Sequence, residues 1–364
     1  MKKTKIALFY GGKITRHLVM IREAAKKLKV DLKLVSYNLV SFETETGKVS
    51  LRGEDLNQFE IVFFRTTGKH WEEVDLVLKQ LKKEVIVVDP LVKEGKPSYA
   101  CKAWQIMKLK ESGIPVPKTV YGSLWYLYNL MVGLQNVSLP CDHFSDSVNV
   151  CTLKFARKTI TSAGNDPPFN FPVILKGSGG DRGTRVFKAD NREELEKLIR
   201  DLRKSETEEG KRYMLQEYIE NRGDYRVLVL GKKVLGVMKR YRKDKKDFRN
   251  NFSVGGEVEV AQLPEEIKKM AVEAAKVCGL MVAGVDIMPR YLNPRQHFSA
   301  QVSVLSRSNL LKNIDHGLSN NREDYVVLEV NKGPQFWGFM KATGIDVPAE
   351  IVKFLISLSK NKFA

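Results

Sequence analysis

YVVLEVNKGP, residues 325–334, runs four apolar or aromatic residues into Glu329, Val330 and Asn331 before a Gly-Pro break. Such a run reads as a strand. Side chains alternate along a strand, so Glu329 and Asn331 share one face and Val330 takes the other. A carboxylate and an amide side by side at a strand end offer oxygen ligands of the kind that suit Mg²⁺. AGVDIMPR, residues 283–290, echoes the pattern with Asp286 inside an apolar run. Two strands that bring Asp286, Glu329 and Asn331 together would make a small oxygen-lined metal site. Each segment alone reads equally well as an ordinary strand end, so the rest of the chain decides the weighting.

Immediately upstream, PEEIKKMAVEAAKVCGL has a helical period, with Ile267, Met270, Ala274 and Val277 turned inward. YMLQEYIE, DYRVLVLGKKVLGVMKRY and EVEVAQLP read as strands of one antiparallel sheet, with a hairpin at Gly231-Lys232. Residues 293–323 are polar and read as an exposed excursion, and PAEIVKFLISL as a closing helix.

The N-terminal part has a different rhythm. Strands at 4–10, in DLKLVSYN, in EIVFFRTTG and in VIVVDP alternate with helices over 17–29 and 71–83. That alternation predicts a small parallel α/β domain ending near Pro90. A helix with Ala103, Ile106, Met107 and Leu109 on one face follows, and stops at Gly113 and Pro115. Residues 123–171 read as an irregular insertion with a short helix at 124–132. FPVILK is then a strand entering a glycine-rich loop, and a polar helix follows, opened by Asp190 or Asn191 as its cap.

At 364 residues the chain is long enough for two or three domains. Its 61 Lys plus Arg against 43 Asp plus Glu leave a net charge of +18, which favours acidic partners or a solvated basic surface. No apolar run reaches the 18 residues of a membrane span. MKKTKIALFYGG fits a first strand better than a leader. The four cysteines form no CxxC pair, and reduced cytoplasmic thiols are expected. Cys141, His143 and Cys151 cluster without a clear fourth metal ligand.

Three further stretches carry chemistry. Lys176–Arg185, KGSGGDRGTR, has four glycines in ten residues. Glycine lets backbone N–H groups turn toward phosphate oxygens, and Lys176 adds a point charge. No GKS/T follows, so this is neither a P-loop nor a Rossmann fingerprint, and a flexible hairpin loop fits it as well. In QEYIE, residues 216–220, an edge strand could offer backbone groups to an adenine ring, with Asp224 and Arg226 close behind. KRYRKDKKDFRNNFSVGG, residues 239–256, is dense in base, and places Arg249 and Asn251 on one strand face.

In chain order these pieces form a series: Lys102 before GIPVPKT, Lys176 with its glycine loop, QEYI, Asp224-x-Arg226, DFRNN, AGVDI and LEVN. The series resembles the ATP-grasp superfamily, and within it the ribosomal-protein-modifying α-L-glutamate ligase (RimK-like) group. The resemblance covers about residues 96–357 well and the first domain in outline; TGID at 343–346 also fits. It implies that Lys102, Lys176, Gly179 and Gly180 bind ATP phosphates, and that Gln216, Glu217, Tyr218 and Ile219 line the adenine pocket. Asp224 would sit near the ribose, and Arg226 would also belong to the nucleotide site. Arg249, beside Asn251, would touch the transferring phosphate, acting with Lys176 in catalysis. Asp286, Glu329 and Asn331 would hold two Mg²⁺ ions, with Mn²⁺ as a substitute.

The implied fold is a three-domain α/β ATP-grasp architecture. Residues 1–95 would form an N-terminal parallel α/β, Rossmann-like domain, 96–212 a central lid with the insertion at 123–171, and 213–364 an antiparallel-sheet domain carrying the metals, with ATP between the last two. The implied reaction is ATP-dependent ligation of a carboxylate to an amine through an acyl phosphate. It would join a glutamate-like amino acid to an amino acid, peptide or protein acceptor, and an acidic acceptor would be drawn in by the basic hairpin 239–249 and by Arg65. A cytoplasmic location, no membrane partner and a homo-oligomer suit the group. An ATP-binding regulatory protein without turnover is the alternative. A nucleic-acid-binding protein rests on charge alone, with no zinc finger, RNP signature or basic heptad behind it.

Overall fold

The structure is a computed structural model that describes residues 4–95, 101–132, 167–178, 185–242, 256–290 and 320–360. The chain divides into two compact units, the smaller comprising Lys118–Ser178 and Thr184–Tyr218 and the larger the rest.

The larger unit begins with a parallel sheet. β1 (Lys5–Tyr10) leads through helix α1 (Arg16–Lys27) to β2 (Asp31–Ser36). After a small antiparallel meander of β3 (Val40–Glu43), β4 (Lys48–Leu51) and β5 (Glu54–Asp55), the chain returns as β6 (Ile61–Phe64). Helix α2 (Trp71–Gln80) then connects to β7 (Ile86–Val88), giving the parallel order β2-β1-β6-β7. Both faces of this sheet are apolar, as a parallel sheet requires. Ala7, Phe9, Val62 and Phe64 pack on α2 and the meander; Ile6, Leu8, Ile61 and Phe63 face α1 and the C-terminal part of the chain. The meander was not anticipated: its strands are too short to show a period. Helix α3 (Lys102–Glu111) follows, with Ile106 and Leu109 buried and Met107 on the surface.

The smaller unit is a four-stranded antiparallel sheet. Its strands are β8 (Thr119–Gly122), β9 (Val173–Gly177), β10 (Val186–Ala189) and β11 (Tyr213–Glu217), in the order β10-β9-β11-β8. Helices α4 (Leu124–Met131) and α5 (Arg192–Thr207) pack on it through Leu127, Tyr128, Leu195 and Ile199. Asn191 caps α5: its Oδ1 accepts from Glu194 N at 2.9 Å, while Glu194 Oε2 accepts from Asp190 N at 2.8 Å. The first bond satisfies an N–H group that the helix start would otherwise leave open, and the second fixes the residue before the cap. β11 corrects two expectations. It belongs to this sheet rather than to the sheet of the following strands, and it lies between β9 and β8 rather than at an edge.

The chain then returns to the larger unit. β12 (Asp224–Leu230), β13 (Lys233–Tyr241), β14 (Glu257–Val260), β15 (Val282–Pro289) and β16 (Tyr325–Lys332) form an antiparallel sheet ordered β14-β13-β12-β15-β16. Helix α6 (Glu265–Val277) covers one face through Ile267, Met270 and Ala274, packed on Val227, Val285 and Val327. Helices α7 (Trp337–Thr343) and α8 (Val347–Lys360) close the other face, where Phe339, Ile351 and Leu355 meet Leu228, Met238 and β1. Cys141, His143 and Cys151 and most of the 293–323 excursion lie outside the described residues. No helix among the described residues is long and apolar enough to cross a membrane.

Candidate active site

The antiparallel sheet of the larger unit carries a charged row on the face opposite α6. Directly opposed residues are Arg240 and Asp224 on β13 and β12, Arg226 and Asp286 on β12 and β15, and Asp286 and Glu329 on β15 and β16. Cross-strand neighbours sit about 5 Å apart, within reach of ion pairing. Arg226 donates from Nε to Asp286 Oδ1 and from Nη2 to Asp286 Oδ2, both at 2.7 Å. Arg240 Nε donates to Asp224 Oδ1 at 2.6 Å, and Arg240 Nη2 lies 3.0 Å from Asp286 Oδ2.

Asp224 and Asp286 are each 5% exposed, and Arg240 3%. Burial alone would raise the Asp286 carboxyl, but the Arg226 and Arg240 guanidinium groups hold it at about 2. Burial pushes Asp224 up, against the pull of Arg240. Asp286 is therefore ionised at neutral pH.

Two local features aim the remaining groups. A bulge puts Leu328 out of register, so that Asp286 faces Glu329 while Ile287 faces Val327. Bulges re-aim side chains beside functional sites, and here Leu328 and Glu329 are both only partly buried. Gly284, opposite Asn331, lets Asn331 Nδ2 donate to Gly284 O and to Asp286 Oδ2, each at 3.2 Å. With its nitrogen so engaged, the amide oxygen is the atom Asn331 offers as a ligand.

Helix α3 is tied to the same strand. Gln105 donates from Nε2 to Val330 O at 2.7 Å and accepts from Val330 N at 2.9 Å. β16 is the end strand of its sheet, and these two bonds satisfy outward backbone groups that an edge would leave open. They also place Lys102, one turn earlier, with its Nζ 3.3 Å from Glu329 Oε2. Three carboxylates, Asp224, Asp286 and Glu329, thus face three cations, Lys102, Arg226 and Arg240.

Asp286, Glu329 and Asn331, expected as a metal set, are brought together. The set fits Mg²⁺, which takes one or two carboxylates and leaves other positions to phosphate or water oxygens. Among the described residues no group of three or more His, Cys, Asp or Glu is disposed to hold a metal by itself. Arg226, expected in the nucleotide site, binds Asp286, and Asp224, expected near the ribose, is held by Arg240.

In the smaller unit, Lys176 lies on β9, opposite Val186 and Met214. Gln216 is buried and donates from Nε2 to Thr119 Oγ1 at 2.8 Å. Glu217 Oε1 accepts from Lys118 N at 2.8 Å, and Lys188 Nζ stands 4.9 Å from the centre of the Tyr218 ring. Ile219, in the larger unit, accepts from Asn221 Nδ2 at 3.1 Å through its carbonyl. Gly179, Gly180, Arg249 and Asn251 lie outside the described residues.

Two basic residues expected at an open cleft mouth are elsewhere. Arg240 is buried in the charged row, and Arg65 is 3% exposed with its Nη2 bonded to Pro334 O at 2.5 Å. Sequence reasoning missed Gln105 and the role of Arg240. Arg240 shares a face of β13 with Met238, but the bulge at Leu235 that sets its partner leaves no mark in the sequence.

Residues 150–296 match the RimK-like ATP-grasp domain family. The chain is 32% identical over 186 residues to a probable alpha-L-glutamate ligase of Halorhodospira halophila, covering 50% of each. It is 27% identical over 265 residues to beta-citrylglutamate synthase B of Danio rerio, covering 72% of this chain and 49% of that one. The chain spans about half the length of these curated relatives. Among solved structures, the ATP-grasp ligase PsnB complexed with minimal precursor superposes with a TM-score of 0.60 at 17% identity, over 98% of both chains. A RimK domain ATP-grasp protein from Sphaerobacter thermophilus gives 0.59 at 14%, over 96% of this chain and 99% of that one. These likenesses show the ATP-grasp fold, as the resemblance implied.

Proposed function

We propose that the chain is an ATP-dependent carboxylate–amine ligase. One observation carries the reading: Asp286, Glu329 and Asn331 meet on adjoining strands, with Lys102 bonded to Glu329. The naming of relatives as alpha-L-glutamate ligase and beta-citrylglutamate synthase supports the substrate class. In this reading a substrate carboxylate oxygen attacks the γ-phosphorus of ATP, the bond from that phosphorus to the β,γ-bridging oxygen breaks, and ADP leaves. The amine of the second substrate then attacks the acyl carbon, phosphate departs, the nitrogen loses a proton, and an amide remains.

Mg²⁺, or Mn²⁺ in its place, held by Asp286, Glu329 and Asn331, would neutralise phosphate charge. The chain's own groups do the rest. Arg226 and Arg240 keep Asp286 ionised and oriented. By the resemblance alone, Lys102 and Lys176, with Gly179 and Gly180, would contact phosphates, Gln216 to Ile219 the adenine, and Arg249 and Asn251 the transferring phosphoryl group. Preorganised cations of this kind stabilise charge as it develops, with little acid–base machinery. The partners are a glutamate-like amino acid and an amino-acid or peptide acceptor.

The test is ADP release screened against amino acids and peptides, with mass spectrometry of the products. An amide product that needs both partners supports the reading. ADP release that no acid stimulates contradicts it.

A further inference from the structure

The ends of β6 and β7 reach the two strands that carry the candidate metal ligands. Asp89, directly after β7, is fully buried, and its Oδ1 accepts from Met281 N at 2.7 Å and Val282 N at 3.0 Å. Those residues open β15, one turn of the ladder before Asp286. Arg65, directly after β6, donates from Nη2 to Pro334 O at 2.5 Å, in the turn that ends β16 after Asn331. A Cβ on Gly333 would stand 2.4 Å from Arg65 O and 2.5 Å from Arg65 Nη1, and Gly333 has φ +63°. The turn is therefore seated directly on Arg65. Lys332 Nζ is buried nearby, and Asp89 attracts both it and Arg65.

Stability alone does not explain this arrangement. A buried ion cluster contributes little net stability, because desolvation offsets the attraction. Arg65 Nη1 and Asp89 Oδ2 have no hydrogen-bond partner among the described residues, which adds to the cost. Asp89 also adopts φ 62° and ψ 74°, a left-handed backbone that non-glycine residues seldom hold. Strained, charged and buried groups persist where they fix a geometry that function requires. What Arg65 and Asp89 fix is the entry of β15 and the exit of β16.

We propose that Arg65 and Asp89 are positioning residues for the cation site. They act from the parallel sheet, through Val282 and Pro334, on the spacing of Asp286, Glu329 and Asn331. The proposal rests on the reading of those three as metal ligands. Groups that orient metal ligands typically change affinity by about 10- to 100-fold when removed.

The test is Mn²⁺ binding to the full chain with a non-hydrolysable ATP analogue, followed by electron paramagnetic resonance, beside thermal unfolding. Arg65→Met keeps the stem and removes the donors. It is expected to weaken Mn²⁺ binding about 10-fold while the cooperative transition persists, and Arg65→Lys, which restores one donor and the charge, is expected to recover part of the loss. Should Arg65→Met not fold, Asp89→Asn carries the test: it keeps an acceptor for Val282 but unbalances Arg65 and Lys332, and weaker Mn²⁺ binding is again expected. A folded Arg65→Met or Asp89→Asn chain with wild-type Mn²⁺ affinity overturns the proposal. The metal reading fails separately, if the wild-type chain binds no Mn²⁺ or if Glu329→Gln binds it as well as wild type.

Discussion

Arg226 lies directly opposite Asp286 across the β12–β15 ladder and donates to both of its carboxylate oxygens at 2.7 Å. The contact fixes the orientation of the carboxylate and its charge together. A planar guanidinium matches a carboxylate edge to edge, which a lysine cannot do. Arg240 completes the arrangement by spanning Asp286 and Asp224.

Removing Arg240 should be costly. Arg240→Met leaves the buried Asp224 without its guanidinium partner and Asp286 with one cation in place of two. Breaking a buried pair on one side costs about 3–5 kcal/mol. Chemical denaturation of the variant should show a loss of that size, and a loss under about 1 kcal/mol would show that the row is solvated.

The Asp286 carboxyl sets an acid limit. Its folded value, about 2, lies below the ordinary 3.8, so the native chain favours the ionised form. A depressed carboxyl contributes stability that is complete above about pH 4 and lost as pH falls through 2. The contribution is on the order of 2 kcal/mol. Unfolding midpoints measured between pH 5 and 2 should fall in that window, and in Arg226→Gln the fall due to Asp286 should be smaller and end at higher pH. Identical profiles for the two chains would remove Arg226 as the cause.

How much of this was legible beforehand differs from residue to residue. Asp286, Glu329 and Asn331 announce themselves, because polar residues interrupt apolar strands next to a Gly-Pro break. Arg240 did not, for a geometric reason. Counting back from the Gly231-Lys232 turn without interruption pairs Asp224 with Lys239. A bulge at Leu235 shifts the register by one, so Asp224 meets Arg240. A one-residue slip moves every side chain to the other face, and nothing in KVLGVMKRY marks it. β11 was assigned to the wrong sheet because consecutive strands usually pair. Gln105 sits on a helix whose partner strand lies 225 residues away, beyond the reach of any local pattern.

Gly284 should tolerate no side chain. A Cβ there would lie 2.8 Å from Pro334 Cβ, and Pro334 is itself tied to Arg65. Gly284→Ala should cost about 1–3 kcal/mol by overpacking, read as a lower midpoint in denaturant. An unchanged midpoint would mean that the 332–334 turn yields freely.

Gln105→Ala removes two hydrogen bonds to Val330 and loosens the strand edge that bears Glu329. At roughly 1 kcal/mol each, the loss should be about 2 kcal/mol. Gln105→Glu should not rescue it, since a carboxylate would face the Val330 carbonyl oxygen. Full recovery by Gln105→Glu would argue that only the contact to Val330 N matters.

The central claim is that a substrate carboxylate attacks ATP. The partner that supplies the carboxylate, labelled with ¹⁸O in its carboxyl groups and incubated with the chain, ATP, Mg²⁺ and the amine partner, reports this directly. The account predicts that the phosphate released with each amide formed carries one ¹⁸O, because the acyl-phosphate oxygen leaves with it. Unlabelled phosphate accompanying amide formation, or ADP release indifferent to the acid, would contradict it.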